Sequence, residues 1–379
     1  MNYSILTYDE AKEIVTKKGD LIFYETKFVV EGYNVSVFNY RLVQYSDFLK
    51  PLEDKDIDAR EMRGLSFVFN SDGTLFNHYL MLGKFWNINQ VAETQLPLLV
   101  NKKIISAYDK RDGSLISFIK MPNGKIVSKT KMGFDNEQTI EVDKIVKNNA
   151  NILKFVDECF DKDLVTMWEY TSFKNRIVLE YNTSELTLLK VRNNKTGEYV
   201  DVEQFRGLGF NVVESLEFTD LESLMKRIED TTKIEGCVIT FEDDQMVKWK
   251  AKEYMELHHM VDDLNREDYV ISLILNEMID DFLSKLNENS DHEKVKWIEN
   301  IELKIRKYIA QRTKDVDDLV SKYNGSMKDF ALSYLKDKNF ALAAKVIKGD
   351  STYDTVKKWV LSETSKLGKA RELLKNINL

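Results

Sequence analysis

Short apolar runs bounded by Gly, Asn or Asp recur along the first 250 residues of the chain. They are rich in Val, Ile, Phe, Tyr and Trp, which is typical of β-strands. The predicted strands are Leu21–Tyr24, Leu65–Phe69, Ile104–Tyr108, Leu115–Ile119, Leu164–Tyr170, Arg176–Tyr181, Leu186–Val191, Gly236–Phe241 and Met246–Trp249. Helical periods interrupt them at about 8–18, 137–160 and 219–230. Because strands and helices do not alternate regularly, this pattern predicts an α+β domain with mostly antiparallel sheets.

The pattern changes at about residue 254, where apolar residues begin to recur at helical spacing. The first such series is Val270, Leu273, Ile274, Met278, Phe282 and Leu283, and similar periods follow at 293–311, 314–323, 326–337, 339–348 and 351–376. All three prolines, Pro51, Pro97 and Pro122, precede this region. The sequence therefore predicts an all-helical C-terminal part.

The composition is typical of a globular chain in a reducing, cytoplasmic setting. Hydrophobic residues make up 43% of the 379 residues, charged residues 31%, and the net charge is −8. No apolar run approaches the roughly 18 residues that span a membrane, and no signal peptide is evident at the start. Neither Cys159 and Cys237 nor the four histidines have zinc-site spacing, so we expect any metal to be a hard cation. The acidic balance disfavours non-specific coating of nucleic acid but allows a local basic groove.

One hexapeptide between two predicted strands, Lys110–Leu115, reads Lys-Arg-Asp-Gly-Ser-Leu. A lysine that ends a strand beside a glycine turn is well placed to attack a phosphate. Lysine is a nucleophile only when neutral, and its ordinary pKa is about 10.4, so such a site needs neighbouring cations or desolvation. Taken alone, the hexapeptide favours a solvated hairpin turn, for which Asp-Gly is a common signal.

Three further stretches combine cations with glycine or aromatic residues. Arg63–Gly64 precedes a predicted strand, Lys84–Asn87 offers a cation and aromatics that could clamp a nucleobase or a phosphate, and Lys129–Lys131 lies in a second lysine-bearing strand. Each stretch alone has a simpler interpretation: a surface arginine, half-buried packing and a solvated strand face, respectively.

Carboxylates and lysines also occupy the ends of later predicted strands. Trp168–Tyr170 places a carboxylate between two aromatics, which is costly unless the carboxylate is paired; an exposed strand edge is an equal alternative. Glu235–Gly236 opens another apolar strand. In Val247–Lys250 the alternation places Lys248 and Lys250 on one face. Two such lysines repel each other unless they share an anion, and a triphosphate is a natural one.

In this order, the motifs resemble those of the nucleotidyltransferases that include ATP-dependent ligases and capping enzymes. Lys110–Gly113 is similar to the KxDG motif, Trp168–Tyr170 to the aromatic-Glu-aromatic motif, Glu235–Gly236 to the EG motif and Lys248–Lys250 to the KxK motif. Over about residues 35–285 the resemblance narrows to the phage RNA ligase 1 family. The segments that carry it are Tyr45–Asp47, Arg63–Gly64, Lys84–Asn87, Lys110–Leu115, Asn175–Leu179, Thr196–Tyr199 and the stretch through Tyr254 to Asp280–Asp281.

This resemblance implies a fold and a reaction. The fold would be a nucleotidyltransferase (ATP-grasp-like ligase) domain of antiparallel sheets plus helices at residues 1–253, followed by an all-helical C-terminal RNA-specificity domain at 254–379. The reaction would be the ATP-dependent joining of RNA 5′-phosphate and 3′-hydroxyl ends through a lysyl-AMP and an adenylylated RNA end. Mg²⁺ is the expected metal ion, with Mn²⁺ as an alternative.

The resemblance also implies roles for individual residues. Lys110 would be the catalytic nucleophile. The residues expected to bind ATP are Tyr40, Arg63, Lys84, Trp86, Asp112, Gly113, Lys131, Glu169, Glu235, Lys248 and Lys250. Glu235 and Asp280 would contact metal and Tyr254 would support activity, although Asp280 is nearly as consistent with a solvated helix carboxylate. Trp86 and Met132 stand where the family usually has another aromatic and a small residue, which leaves the base contacts open.

The implied partner is single-stranded RNA or tRNA with 5′-phosphate and 3′-hydroxyl ends. The implied setting is tRNA repair by a monomer in the cytoplasm of a phage-infected host, without a membrane.

Three alternatives to this function stay open. A related nucleotidyltransferase acting on DNA ends is disfavoured by the helical C-terminal pattern, and an inactive ligase-like RNA-binding protein by the retained charged motif positions. An α+β structural protein with chance matches is disfavoured by the order of the motifs.

Overall fold

The structure is a computed structural model that describes residues 5–41, 43–52, 55, 57–172, 183–232, 234–251, 266–280, 283 and 292–377. The chain divides into two compact units, Met1–His258 and His259–Leu379. Antiparallel sheets and helices form the described part of the first unit, and helices form that of the second. The predicted α+β class with a helical C-terminal region is therefore confirmed. No helix in these ranges is long and apolar enough to cross a membrane.

Fourteen strands are described in the first unit. They are β1 (Phe23–Val30), β2 (Tyr33–Tyr40), β3 (Leu65–Phe69), β4 (Leu75–Tyr79), β5 (Trp86–Asn87), β6 (Ile104–Lys110), β7 (Ser114–Lys120), β8 (Ile126–Thr130), β9 (Leu164–Thr171), β10 (Glu185–Asn193), β11 (Tyr199–Val200), β12 (Asn211–Val212), β13 (Gly236–Phe241) and β14 (Met246–Lys250). The strand predicted from Leu21 begins instead at Phe23, and the one predicted at Arg176–Tyr181 lies outside the described residues.

The strands form three sheets. The first has the order β1-β2-β3-β4, the second β11-β10-β9-β7-β8 with β12 beside β10, and the third β5-β14-β13-β6. All pairs are antiparallel except β10 with β12 and β14 with β5. Glu31 and Gly32 have φ angles of 51° and 83°, which is the left-handed conformation that a two-residue turn between β1 and β2 requires.

The helices of the first unit are α1 (Tyr8–Lys18), α2 (Tyr45–Phe48), α3 (Leu96–Leu99), α4 (Glu137–Asn148), α5 (Ala150–Phe160) and α6 (Leu221–Asp230). The helix predicted at about 137–160 is two helices, because Asn149 ends α4 and its side chain accepts a hydrogen bond from the Asn151 backbone at the start of α5. Both helices bury apolar residues, among them Val142 and Phe155, in a core shared with Trp168 of β9.

The second unit contains α7 (Glu267–Leu275), α8 (His292–Val320), α9 (Met327–Tyr334), α10 (Phe340–Ile347), α11 (Thr352–Glu363) and α12 (Leu367–Lys375). The two helices predicted at 293–311 and 314–323 are one, because the buried period continues from Ile309 to Val316 and nothing breaks it. Conversely, the helix predicted at 351–376 is two: the Thr364 hydroxyl donates to the Val360 carbonyl and helps to end α11.

Candidate active site

The third sheet brings predicted site residues that are far apart in sequence side by side. Its central strand β13 pairs with β6 on one side and β14 on the other. The first row across the sheet contains Lys110, Gly236 and Lys250, and the row two residues further along β13 contains Tyr108, Val238 and Lys248. The register alone therefore places the predicted nucleophile in line with the KxK motif.

One carboxylate joins the two lysines of the first row. Glu235 Oε2 lies 2.6 Å from Lys110 Nζ, and Glu235 Oε1 lies 2.7 Å from Lys250 Nζ. Burial alone would raise the pKa of Glu235, but Lys110 and Lys250 hold that pKa below its ordinary value. The Lys110 side chain is 23% exposed, whereas those of Glu235 and Lys250 are 4% and 9% exposed. Within this reactive cluster (Lys110, Glu235 and Lys250), Lys110 is thus the most open to a ligand.

Two glycines allow the strands to approach closely enough to build this cluster. A Cβ atom on Gly113 would lie 2.3 Å from the Tyr170 carbonyl oxygen, and one on Gly236 would lie 2.0 Å from the Trp249 carbonyl oxygen. No side chain fits at these distances, which explains why glycine follows the nucleophile motif and Glu235. Gly113 in this way brings the turn after Lys110 against β9.

A cavity of ≈ 270 Å³ opens beside Lys110. The predicted residues that line it are Tyr40, Arg63, Lys84, Lys110, Gly113, Glu169 and Lys248. Lining residues that the sequence analysis did not single out are Leu82, Phe85, Tyr108, Asp109, Arg111, Leu115, Leu189, Lys190, Val213, Val238 and Met246. In addition to Lys110, the wall therefore contains five cations together with apolar and aromatic side chains. This combination suits a phosphorylated ligand with an apolar face.

Glu169 lies within the second sheet and not on an exposed edge. Its strand, β9, is paired with β10 on one side and β7 on the other, so the exposed-edge interpretation is wrong. Burial raises the pKa of Glu169 to about 8, although Lys110 and Arg63 act in the opposite direction. The carboxyl group is thus held in its neutral form near pH 7 and can donate a hydrogen bond into the cavity.

Tyr40 places a ring between two predicted lysines. The ring centroid lies 5.8 Å from Lys84 Nζ and 5.1 Å from Lys131 Nζ. The Asn39 side chain donates a hydrogen bond to the Lys131 carbonyl at 2.9 Å, which holds this segment against β2. Cation–π contacts of this kind help to hold two positive charges near one another.

The remaining predicted residues lie outside the cavity lining. Trp86 is buried, with its ring 5.1 Å from that of Tyr45 and 5.7 Å from that of Phe48, and it is Phe85 that lines the cavity. Asp112 is buried and close enough to Glu169 to contribute to its raised pKa. The nucleotide-binding roles of Trp86, Asp112 and Lys131 stay predictions.

Two further predicted residues lie outside the described part of the first unit. Tyr254 lies outside the described residues, as does the quoted segment Asn175–Leu179. Asp280 belongs to the second compact unit. Across the part of the chain that the structure describes, no group of three or more His, Cys, Asp or Glu could hold a metal ion.

Glu61, Lys129 and Arg192 form a support cluster around Arg63 and Gly64, and the sequence analysis named only Lys129 among them. Arg192 is fully buried and donates a hydrogen bond of 2.7 Å to each oxygen of Glu61. Lys129, also buried and not on a solvated face, donates to the Gly64 carbonyl at 2.9 Å. Burial lowers the pKa of Lys129 to about 7. These contacts hold the residues on either side of Arg63 in place.

Comparisons with known proteins were made for the whole chain. A family model described as RNA ligase, of the T4 RNA ligase 1 type, matches residues 61–255. A curated protein of Thermovibrio ammonificans with the name "Putative RNA ligase" is 26% identical over 266 residues, covering 68% of this chain and 67% of that protein.

Two solved structures show weaker likeness. An archaeal ATP-dependent RNA ligase (form 2) is 11% identical with a TM-score of 0.49, covering 92% of this chain and 94% of that one. The Naegleria gruberi RNA ligase with PPi is 13% identical with a TM-score of 0.38, covering 62% and 76%.

Proposed function

Since the chain belongs to the RNA ligase family, whose model matches residues 61–255, we propose that it joins RNA ends with ATP through a covalent intermediate on Lys110. The protein is an RNA ligase, and the proposal concerns how its residues perform the joining. The observation that carries the proposal is the reactive cluster: a partly exposed lysine, held by a buried Glu235–Lys250 pair, at the wall of a cationic cavity.

In the first step, the neutral amine of Lys110 attacks the α-phosphorus of ATP. A P–N bond forms, the bond between the α-phosphorus and the bridging oxygen breaks, and pyrophosphate leaves. Lys110 Nζ forms an ion pair of 2.6 Å with Glu235 Oε2. The pair must therefore separate and the ammonium must lose a proton before attack. Lys250 remains to hold Glu235, and Lys248 lines the cavity with a further positive charge.

The second and third steps use the RNA ends. An oxygen of the RNA 5′-phosphate attacks the α-phosphorus, the P–N bond breaks, and Lys110 regains a proton. The RNA 3′-hydroxyl then attacks the phosphorus of the activated 5′ end, a phosphodiester bond forms, and AMP leaves while the hydroxyl proton is released. Each step develops negative charge on phosphate oxygens, which preorganised cations stabilise in a low-dielectric site.

The cavity residues divide the binding of ATP among them. Arg63, Lys84 and Lys248 would neutralise phosphate oxygens, because each is a cation that lines the cavity. Glu169 would bond a ribose hydroxyl, for which a buried carboxyl group with a raised pKa is suited as a donor. Glu235 is the carboxylate that would hold Mg²⁺, and when bound the ion supplies charge stabilisation at the transferred phosphate.

The finer roles in this proposal rest on the family resemblance. The helical second unit would supply RNA specificity, with domains at residues 1–253 and 254–379. The substrate would be broken tRNA, repaired by a monomer in the cytoplasm of a phage-infected cell. Tyr254 would support activity, and Asp280 would contact metal.

The test follows α-labelled ATP onto the protein. Wild type, stripped of bound AMP with pyrophosphate, is incubated with the nucleotide and Mg²⁺ and run on a denaturing gel. We expect covalent label on wild type and none on Lys110→Ala. Lys125→Ala is the matched control, because Lys125 is an exposed lysine that pairs with Glu31. A 5′-phosphorylated RNA oligonucleotide added to the labelled protein should discharge the label and yield joined RNA.

Each result separates one part of the proposal. Label on Lys110→Ala equal to that on wild type would exclude Lys110 as the nucleophile. Absence of label on stripped wild type would exclude the covalent mechanism altogether. Label that discharges onto a DNA end in preference to an RNA end would contradict the assigned polynucleotide.

A further inference from the structure

The strand β10 changes its side-chain alternation at the cavity wall. Its pairing with β9 shifts register between Leu188 and Lys190, which leaves Leu189 as the extra residue of a β-bulge. In a regular strand, neighbouring side chains point to opposite faces. Here Leu189 and Lys190, which are consecutive, both line the cavity. The bulge thus directs the Lys190 side chain into the cavity.

Lys190 is a costly residue at this position. It is only 9% exposed, and burial lowers its pKa to about 8 although Asp201 and Asp244 act in the opposite direction. Its Nζ lies 3.5 Å from Thr240 Oγ1, a long hydrogen bond, and 4.8 Å from the ring centroid of Tyr108. Among the described residues, Lys190 has no carboxylate partner within ion-pair distance. A buried ammonium with so few acceptors fits a ligand that supplies one.

The position of Lys190 indicates which part of a bound nucleotide would supply the acceptor. Thr240 of β13 lies in one row of the third sheet with Ser106 and Met246. This row is four residues, or about 13 Å, along β13 from the row that contains Lys110. Leu189, Val213 and Met246 provide apolar surface at this end of the cavity. With the phosphates at Lys110, the base would therefore lie toward Lys190.

We propose that Lys190 is a specificity-determining residue, which donates a hydrogen bond to a ring nitrogen of the adenine base of ATP. This inference rests on the proposed function, since it assumes that the cavity binds ATP with its α-phosphate at Lys110. An ammonium can only donate, so its partner on adenine is an acceptor among N1, N3 and N7 and not the exocyclic amine. The apolar walls would sandwich the ring while Lys190 fixes its orientation.

The test measures nucleotide affinity by calorimetry in wild type and Lys190→Met, which keeps the length of the side chain and removes its donors. The ligands are ATP and its 1-deaza, 3-deaza and 7-deaza analogues, each lacking one ring acceptor. We expect Lys190→Met to weaken ATP binding by about tenfold to a hundredfold, the range for a hydrogen bond to a charged donor. One analogue should bind wild type more weakly by a similar factor, yet bind Lys190→Met no more weakly than ATP does.

Lys195→Met is the matched control, because Lys195 follows the same strand and is exposed, with an ion pair to Asp163. Its affinity for ATP should equal that of wild type. Thermal unfolding checks that Lys190→Met is folded. If it is not, Lys190→Gln, whose side chain is neutral but polar, replaces it in the same measurements.

Three results would overturn the inference: equal ATP affinity of wild type and Lys190→Met, an equal effect of all three analogues on both proteins, or weakened binding of pyrophosphate with unchanged binding of AMP. The last result would assign Lys190 to the phosphates. Failure of the proposed function would appear differently. Wild type would then form no label at Lys110, whereas the affinity difference between wild type and Lys190→Met would still report on the base contact.

Discussion

The reactive cluster and the support cluster each combine one carboxylate with two cations but differ in their exposure. In each, a buried carboxylate is paired with a cation: Glu235 with Lys110 and Lys250, and Glu61 with Arg192. The difference lies in exposure, because Lys110 is 23% exposed and Arg192 is fully buried. A cation that reaches the cavity can exchange its carboxylate for a ligand, whereas an enclosed cation can only hold the fold. Exposure to the cavity therefore distinguishes the two clusters.

The largest expected effect comes from breaking the support cluster. Arg192→Met leaves Glu61 buried without its cation, and we expect the free energy of unfolding to fall by about 3–5 kcal/mol. Urea unfolding measures it. Lys195→Met, which removes an exposed partner of Asp163 near the same strand, should stay within about 1 kcal/mol of wild type. Adding Glu61→Leu to Arg192→Met should recover part of the loss; no recovery would mean that the pair is not the cause.

Breaking the reactive cluster should affect chemistry more than stability. Lys250→Met removes one of the two cations on Glu235 but leaves Lys110 paired with it. We expect the single-turnover rate of Lys110 labelling at saturating ATP to fall by about 10²–10³, as for the loss of one preorganised electrostatic contact. The rate is measured by rapid quench with α-labelled ATP. A rate within twofold of wild type would contradict the role of Lys250.

A smaller effect should appear in the pH dependence of stability through Glu169. Its pKa is raised to about 8 by burial, against about 4.3 in the unfolded chain. Between these values the folded state binds more protons, so stability falls as pH rises. Compared with Glu169→Gln, wild type should lose stability from about pH 4 to about pH 8. Parallel curves of melting temperature against pH for the two proteins would exclude a buried neutral Glu169.

The smallest effect, and of opposite sign, is expected for Lys129 of the support cluster. Burial lowers its pKa to about 7, against about 10.4 in the unfolded chain. Between these values the unfolded state binds more protons, so stability rises with pH. Wild type should gain stability over Lys129→Met from about pH 7 to about pH 10. A flat difference between the two melting curves over this range would show that Lys129 stays charged.

The elements followed from the sequence where a local pattern sufficed. β3 and β13 have the predicted bounds, and α1 matches its predicted range. The pattern misplaced helix ends where a single side chain decides, as at Asn149, which caps α5, and at Thr364, which helps to end α11. The pattern also predicted two helices where the structure has the single helix α8, because the buried residues of α8 continue through Arg312 and Thr313. Such ends depend on hydrogen bonds that apolar spacing does not report.

The residues of the candidate site likewise divide into those that the sequence indicated and those that it did not. Lys110, Glu235 and Lys250 could be singled out because each stands at a strand end beside a glycine or in strict alternation, and the sheet register then aligned them. Lys190 and Arg192 carried only a weak signal, a charge within an apolar strand. Whether such a charge faces solvent, a cavity or a carboxylate depends on which strands flank it.

The sequence by itself therefore determined the α+β class, the helical C-terminal region and the charged motifs of an RNA ligase, because periodicity and motif order are properties of the chain. The tertiary structure alone decided that Phe85 and not Trp86 lines the cavity, and that a bulge at Leu189 aims Lys190 into it. It also decided that Lys129 and Arg192 are buried. The physical reason is that burial and pairing arise between strands distant in sequence, and a local pattern carries no record of them.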